Sequence, residues 1–222
     1  MRLVLIRHGD AHAGFHGPIA GPRGCAGLTP LGRVQAEALR DHLARSRRVE
    51  ADVLLASILP RAIETATIIG PGLGMEVGNH DCDLCEVHTG EADGMDWAEY
   101  NAQHGSFDME AEPDRPFAPG GESWNGFHGR VRRTLDRLAE EHADQTVVAV
   151  CHAGVIMASM RLLLGILDPK ISAHLRPSNT GLTEWEHHQG AWTLRSYNEA
   201  VHLRNLSGRM VAQAAADAPS PS

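Results

Sequence analysis

The chain has 222 residues, of which 42% are hydrophobic and 5% aromatic, and its formal net charge is −8. This composition excludes a largely disordered chain, and the length is sufficient for one domain with a substantial core. The acidic balance argues against a nucleic-acid partner, since nucleic-acid binding usually needs a basic face. No apolar run approaches the ~20 residues of a membrane span, and the short apolar start is not a signal peptide, so we expect a cytoplasmic protein that binds no membrane.

The first predicted element is a strand over residues 2–7, whose apolar run ends in Arg7 and His8. A helix is expected further on, because Thr29 has the side chain of an N-cap and Pro30 suits the first helical position. In open α/β sheets, ligands bind at the carboxyl ends of the strands. The first strand therefore predicts an arginine and a histidine at a ligand-binding edge.

The second predicted strand spans residues 52–56 and runs into Ser57 and Arg61. Ser57 is expected to cap a helix over residues 60–69, which the following Gly-Pro-Gly sequence should end. Residues 75–77 are a weak candidate for a further strand. A second arginine is thus predicted at the same edge of the sheet as the first.

The pattern in the second half of the chain predicts a long helix over residues 122–142 and a buried strand over residues 146–151. It then predicts another helix over residues 155–164 and a hairpin over residues 183–194. The strand at residues 146–151 is apolar apart from its first residue, as is typical of burial on both faces, and it runs into His152 and Ala153. The alternation of strands and helices predicts a three-layer α/β/α sandwich with a mainly parallel central sheet.

Residues 83–121 interrupt this alternation, because they are rich in Asp, Glu, Gly and Pro, with one helix expected near residues 97–103. We interpret them as an excursion over the carboxyl edge of the sheet. We predict a single domain over residues 1–211 and a disordered tail, rich in Ala, Pro and Ser, over residues 212–222.

The first predicted strand therefore leads into Arg7 and His8, the second into Arg61 and the third into His152. These four side chains could surround one anion. If the anion is a phosphoryl group, two guanidinium groups can bind its oxygens, and a neutral imidazole can attack phosphorus and form a phosphohistidine. The helix that starts at Ala153 offers free N–H groups to the same anion. Because the chain has no P-loop and no carboxylate cluster typical of a metal site, we expect neither a metal nor a cofactor.

A leaving alkoxide needs a proton, and the excursion is the natural source of a carboxylic acid for this role. Composition alone leaves four candidates open: Glu86, Glu91, Asp93 and Glu99.

Cys82 and Cys85 form the only closely spaced cysteine pair, and His80 and His88 flank it. A zinc knuckle is one interpretation of this segment. The chain has no second pair of ligands at zinc-finger spacing, so we expect reduced thiols and no structural metal there.

Seven segments resemble the histidine phosphatase superfamily, also called the phosphoglycerate mutase-like family, and they occur in that family's order over nearly the whole chain. They begin with Leu-Ile-Arg-His-Gly-Asp and include Gly-Gly-Glu-Ser and Cys-His-Ala-Gly-Val, and they cover residues 5–10, 28–36, 57–66, 84–94, 120–123, 151–155 and 198–203. The resemblance implies a phosphoglycerate mutase-like fold.

The resemblance also implies roles for individual residues. His8 would be the nucleophile that becomes phosphorylated, Arg7 and Arg61 would clamp the phosphate, and His152 would hydrogen-bond it. Glu86 matches the position of the family's general acid. The substrate-binding set would then also include Ala153, Ser57 and Thr29. Ser57 would support the phosphate pocket indirectly, and Thr29 would approach the substrate.

Three departures from the family pattern bear on function. Residues 10–27 contain no asparagine, although many relatives use one there to bind phosphate, and Asp10 stands where many relatives have Glu. Residues 87–93, which follow the acid, are acidic, whereas the glycolytic mutases carry a basic and aromatic stretch. This difference argues against mutase activity.

We therefore expect a metal-independent phosphatase that hydrolyses a small phosphomonoester through a phosphohistidine intermediate. The alternatives are a cofactor-dependent phosphoglycerate mutase and a protein phosphohistidine phosphatase. Relatives are commonly homodimers, and the sequence leaves the oligomeric state open. The natural substrate also stays open, because residues 10–27 and 83–121, which would determine specificity, are the least patterned parts of the chain.

Overall fold

A computed structural model describes residues 1–12, 17–106, 108–166, 174–204 and 206. The described residues form five strands, β1 to β5 in chain order, at Arg2–Arg7, Val53–Ala56, Thr146–Cys151, Leu182–His188 and Ala191–Glu199. They also form five α-helices, α1 to α5, at Pro30–Ser46, Pro60–Leu73, Trp97–His104, Trp124–Glu141 and Ala153–Leu163. The predicted disordered tail lies outside the described residues.

The five strands form one mixed sheet in the order β2-β3-β1-β4-β5. The first three of these strands are parallel to one another, whereas β4 and β5 are antiparallel to their neighbours. Parallel pairing places Arg7 opposite Cys151 and Ala56 opposite Val150. Since these residues end their strands at the same level, the segments that follow β1, β2 and β3 all emerge at one edge.

Helices cover both faces of the sheet, because the buried residues of β1 and β3 alternate between two hydrophobic clusters. Leu3 and Leu5 pack with the apolar residues of α4 and α5, whereas Val4 and Ile6 pack with those of α1 and α2. This alternation is the period of two expected of a strand. The predicted three-layer architecture with a parallel centre is confirmed.

Three local expectations were wrong. Residues 75–77 form no strand, and this part of the chain follows β2 through a single bridge between His80 and Ala56. Helix α2 continues through Pro71 and ends at Gly74, whose φ of 69° is the left-handed conformation that glycine adopts readily. Leu59, rather than Ser57, is the N-cap of α2, and Ser57 Oγ accepts a hydrogen bond from the Leu59 N–H at 3.2 Å.

Within the described residues, the excursion begins at a 3-10 turn, Cys82–Leu84, and also contains the 3-10 turn Gly90–Ala92 and helix α3. It has a small hydrophobic cluster of its own, formed by Ile19, Ala92, Tyr100 and Ala118. Because Ile19 belongs to the segment after β1, this cluster joins the excursion to the loop at the carboxyl edge. No helix of the described residues is long and apolar enough to cross a bilayer.

Candidate active site

His8 lies just beyond β1, with 7% of its surface exposed. Its Nδ1 lies 2.7 Å from the Gly9 carbonyl oxygen, which can only accept a hydrogen bond, so Nδ1 carries the ring proton. Burial and the nearby charge of Arg61 hold the pKa of His8 well below its usual range. The ring is therefore neutral, and its Nε2 carries a lone pair instead of a proton.

Two arginines lie beside this imidazole. Arg61, at the start of α2, is 5% exposed; its Nε donates to His8 Nε2 at 3.2 Å and its Nη1 donates to the Ala20 carbonyl at 3.0 Å. Arg7 donates through Nη1 to the Pro177 carbonyl at 2.7 Å. Burial lowers the pKa of Arg7, while the Glu86 carboxylate acts in the opposite direction. Main-chain carbonyls from two loops thus orient both guanidinium groups.

His152 follows β3 and is completely buried, with its ring centroid 5.0 Å from that of His8. Burial and the charge of Arg61 hold its pKa well below the usual range, so this ring is also neutral. Its Nε2 lies 2.8 Å from Ser57 Oγ, which lies 3.3 Å from Cys85 Sγ. Ser57 therefore positions the imidazole rather than an anion directly.

Two buried polar atoms at this edge have no hydrogen-bond partner among the described residues, namely Arg7 Nε and His152 Nδ1. Buried polar groups are paired in the great majority of cases, so an unpaired group needs an explanation such as a ligand. Together with the guanidinium of Arg61 beside His8, these atoms indicate a site for an oxyanion.

Glu86 lies two residues after the first 3-10 turn of the excursion, which ends at Leu84. Its Oε2 accepts a hydrogen bond from the Gly154 N–H at 3.0 Å, at the N-terminus of α5. A Cβ atom on Gly154 would come within 2.0 Å of Glu86 Oε1, so only glycine allows this approach. The structure thus brings one of the four candidate acids to the helix that begins at Ala153, and that acid is the one indicated by the resemblance.

Arg130 is a residue of this site that the sequence did not identify. This residue of α4 is 6% exposed and binds the carboxylate of Glu122 through both Nε and Nη2, at 2.8 and 2.7 Å. Its remaining N–H groups donate to the carbonyls of Asp83, Cys85 and Glu86 at 2.7, 3.0 and 3.2 Å. The guanidinium therefore holds the main chain that carries Glu86.

The hydroxyl of Thr29 is hydrogen-bonded to groups other than the site histidines. Its Oγ1 accepts from the Gly32 N–H at 3.0 Å, which makes it the predicted N-cap of α1, and it donates to Asp10 Oδ2 at 2.6 Å. These bonds connect Thr29 to the loop after β1, and no described hydrogen bond joins it to either site histidine. Its role in substrate binding stays a prediction.

Thr65 and Asn179 also support His8, although the sequence did not assign them a role. Thr65 Oγ1 accepts from the Gly9 N–H at 3.0 Å, and Asn179 Nδ2 donates to the His8 carbonyl at 2.9 Å. Thr65 lay within a segment of the family resemblance, whereas nothing in the pattern pointed to Asn179. It reaches the site because β4 runs antiparallel to β1, so the segment before β4 lies at the carboxyl end of β1.

Asp93 connects the excursion to the loop after β1. Its carboxylate accepts hydrogen bonds from the N–H groups of Gly21, Arg23 and Gly24 at 2.8 to 2.9 Å. Burial alone raises the pKa of Asp93, but these bonds outweigh burial and the net shift is downward. Asp93 is thus an anchor for the loop rather than the proton donor.

Comparisons with known proteins agree with this arrangement. A family model described as "Histidine phosphatase superfamily (branch 1)" matches residues 3–200. A bifunctional protein of Mycobacterium tuberculosis is 31% identical over 207 residues, covering 91% of this chain and 55% of that protein. The chain thus spans about half the length of this relative. The adenosylcobalamin/alpha-ribazole phosphatase of Escherichia coli is 27% identical, covering 95% of this chain and 98% of that protein.

Solved structures show the same similarity. The structure of a mycobacterial glucosyl-3-phosphoglycerate phosphatase superimposes with a TM-score of 0.70 at 28% identity, covering 90% of this chain and 99% of that one. The similarity therefore extends over the whole of that phosphatase.

Proposed function

The chain belongs to the histidine phosphatase superfamily, and on that premise we propose that it hydrolyses a small phosphomonoester through a phosphohistidine at His8. One observation carries the proposal: the neutral ring of His8, whose Nε2 accepts a hydrogen bond from Arg61, lies 5.0 Å between centroids from the ring of His152, whose Nδ1 has no partner among the described residues. The phosphatases among its relatives support hydrolysis as the reaction.

In the first step, the lone pair on His8 Nε2 forms a bond to phosphorus while the bond from phosphorus to the ester oxygen breaks. Arg61 Nε, which donates to His8 Nε2 in the free enzyme, would donate to a phosphoryl oxygen instead. Arg7 Nε would donate to a second phosphoryl oxygen. These donors stabilise the negative charge on the equatorial oxygens in the transition state. The carboxylic acid of Glu86 gives its proton to the leaving oxygen, which departs as an alcohol.

In the second step, the Glu86 carboxylate accepts a proton from water as the water oxygen bonds to phosphorus. The bond between phosphorus and His8 breaks, inorganic phosphate leaves, and the imidazole returns to its neutral form. The Gly9 carbonyl keeps the ring proton on Nδ1 throughout, which leaves Nε2 free for the next substrate.

The proposal is tested by comparing hydrolysis of p-nitrophenyl phosphate by the wild type, by His8→Ala and by His188→Ala. His188 is an exposed histidine at the opposite end of the sheet. We expect kcat to fall by about a thousandfold or more in His8→Ala, and to be unchanged in the control. Acid-labile phosphate bound to the wild type and absent from His8→Ala would identify the intermediate, and equal rates in the two proteins would refute the nucleophile assignment.

The phosphoryl group on His8 could be transferred to an acceptor other than water, or it could come from a donor other than a phosphomonoester. A requirement for 2,3-bisphosphoglycerate in the turnover of 3-phosphoglycerate would identify a mutase. Faster release of phosphate from a phosphohistidine peptide than from any phosphomonoester in a panel would identify a protein phosphohistidine phosphatase. The acidic residues 87–93 that follow Glu86 favour hydrolysis over the mutase reaction.

A further inference from the structure

A cluster of two thiols and an imidazole is formed by residues that flank Glu86 in the chain. The ligand atoms of Cys82, Cys85 and His88 all lie within 4.8 Å of one another. Spacing alone did not identify the third ligand, and the fold supplies it, because the chain turns after Glu86 and brings the ring of His88 back to Cys82. The Cys82 Sγ to His88 Nε2 distance is 3.6 Å.

This distance is close to the separation expected between two ligand atoms of a tetrahedral zinc site. With Zn–S near 2.3 Å and Zn–N near 2.05 Å, tetrahedral angles place a sulfur and a nitrogen ligand about 3.6 Å apart. Two thiolates and an imidazole also form the soft ligand set that selects zinc over magnesium or calcium. Geometry and chemistry therefore indicate the same ion.

The groups around the cluster are those that commonly support zinc ligands. Ser57 Oγ lies 3.3 Å from Cys85 Sγ, and a Glu122 carboxylate oxygen lies 3.7 Å from His88 Nδ1, on the far side of the ring from Cys82. A carboxylate near the second nitrogen of a histidine ligand orients the ring for the metal. Cys82 is exposed, so an ion can enter from solvent.

We propose that Cys82, Cys85 and His88 bind a zinc ion, with a water molecule completing the tetrahedron on the exposed side. Each thiol releases its proton to solvent when its sulfur coordinates the metal. The ligands lie on both sides of Glu86 in the chain, so the ion would tie together the two segments that flank the proposed general acid. No step of the phosphoryl transfer uses the ion, so binding is followed by spectroscopy and stability rather than by turnover.

The test uses the full chain, reduced and freed of metal by chelation. Co²⁺ is titrated first, because tetrahedral cobalt with thiolate ligands gives a sulfur-to-metal charge-transfer band in the near ultraviolet. Zn²⁺ is then added to displace it. The variants are Cys82→Ser and His88→Ala, which leave the buried Cys85 in place, and Cys25→Ser is the control because Cys25 lies outside the cluster.

We expect the wild type and Cys25→Ser to bind one ion per chain with the thiolate band, and Zn²⁺ to raise their Tm by mass action. Cys82→Ser and His88→Ala should bind at least about tenfold more weakly, and the Tm shift should be absent at the same Zn²⁺ concentration. A cobalt spectrum without the thiolate band, or equal affinities in wild type and Cys82→Ser, would overturn the proposal. Closure of Cys82 and Cys85 into a disulfide on purification under air, with no metal uptake after reduction, would overturn it as well.

Discussion

Ser57 joins the buried thiol of Cys85 to the buried imidazole of His152 through contacts of 3.3 and 2.8 Å. Burial raises the pKa of the Cys85 thiol to about 11, so in the metal-free chain the sulfur keeps its proton and can donate to Ser57 Oγ. The Ser57 hydroxyl is then left to donate to His152 Nε2. A neutral ring that accepts at Nε2 carries its proton on Nδ1, which is the unpaired atom available to a phosphoryl oxygen.

Replacing Ser57 by Ala should therefore weaken oxyanion binding without removing any group that touches the oxyanion. We expect the Kd for inorganic phosphate to rise about tenfold, because a hydrogen bond to a charged group contributes roughly 1.5 kcal/mol and the ring loses its preferred tautomer. Isothermal titration calorimetry measures the change. Ser46→Ala, at an exposed serine ending α1, is the control, and equal affinity in Ser57→Ala and wild type would contradict the assignment.

Helix α4 acts on the site through Arg130, which binds the main-chain carbonyls of Asp83, Cys85 and Glu86. Lysine in place of this arginine keeps the charge but loses the planar fork that serves Glu122 and these carbonyls together. The expected consequence is a displaced Glu86 with His8 and both phosphate-binding arginines left in place. Arg130 is in this sense a positioning residue.

Arg130→Lys should lower kcat about tenfold to a hundredfold for an alkyl phosphate, whose leaving oxygen needs a proton, since a small misplacement of a catalytic group has effects of this size. For p-nitrophenyl phosphate, whose phenolate leaves unprotonated, the loss should be much smaller. Glu86→Gln should show the same dependence on the leaving group, and Arg133→Lys, on the exposed face of α4, should show none. Equal losses on both substrates would instead indicate general damage to the fold.

The ion pair between Glu122 and Arg130 also connects this helix to the pH dependence of stability. Burial alone raises the pKa of Glu122, but hydrogen bonds from Arg130 and the His88 N–H outweigh it, and the net pKa lies below the ordinary 4.5. A carboxylate with a lowered pKa in the folded state stabilises the fold above its unfolded pKa, and this contribution is lost as the pH falls through the folded value.

Glu122→Gln should therefore reduce the free energy of unfolding most at neutral pH, and its difference from the wild type should shrink as the pH falls below 4.5. Urea denaturation across this range measures both proteins. Glu140→Gln, at an exposed position of the same helix, provides the baseline. A difference between Glu122→Gln and wild type that stays constant with pH would show that the pair contributes nothing through its charge.

The elements that carry the site were predictable because their local sequence patterns match the burial and capping observed in the structure. The apolar runs of β1 and β3 and the Thr29 cap of α1 are signals of this kind. Pro71 misled the prediction of where α2 ends, since a glycine three residues later, rather than the proline, terminates the helix. Arg130 could not be predicted, because its partners are main-chain carbonyls some 45 residues away in sequence, and a periodic pattern does not encode such contacts.

At the scale of the molecule, an acidic chain with a formal charge of −8 gathers two buried or half-buried arginines and two buried neutral histidines at one edge. Both guanidinium groups are oriented by main-chain carbonyls, of Pro177 and Ala20, and no carboxylate of the described residues forms an ion pair with either of them. Positive charge held in a partly desolvated site is costly unless it is paired. An oxyanion would supply the missing negative charge and fill both unpaired positions.

Orthovanadate or inorganic phosphate should therefore stabilise the whole fold. At a ligand concentration of about 100 times Kd, mass action adds roughly 2.7 kcal/mol, which for a chain of this size corresponds to an increase in Tm of about 5 to 10 °C. Arg61→Met should lose most of the increase, because it removes a guanidinium that contacts His8 Nε2, whereas Arg132→Met, on the exposed face of α4, should keep it. Scanning calorimetry with and without the anion makes the comparison, and a shift of equal size in Arg61→Met and wild type would place the bound anion away from this edge of the sheet.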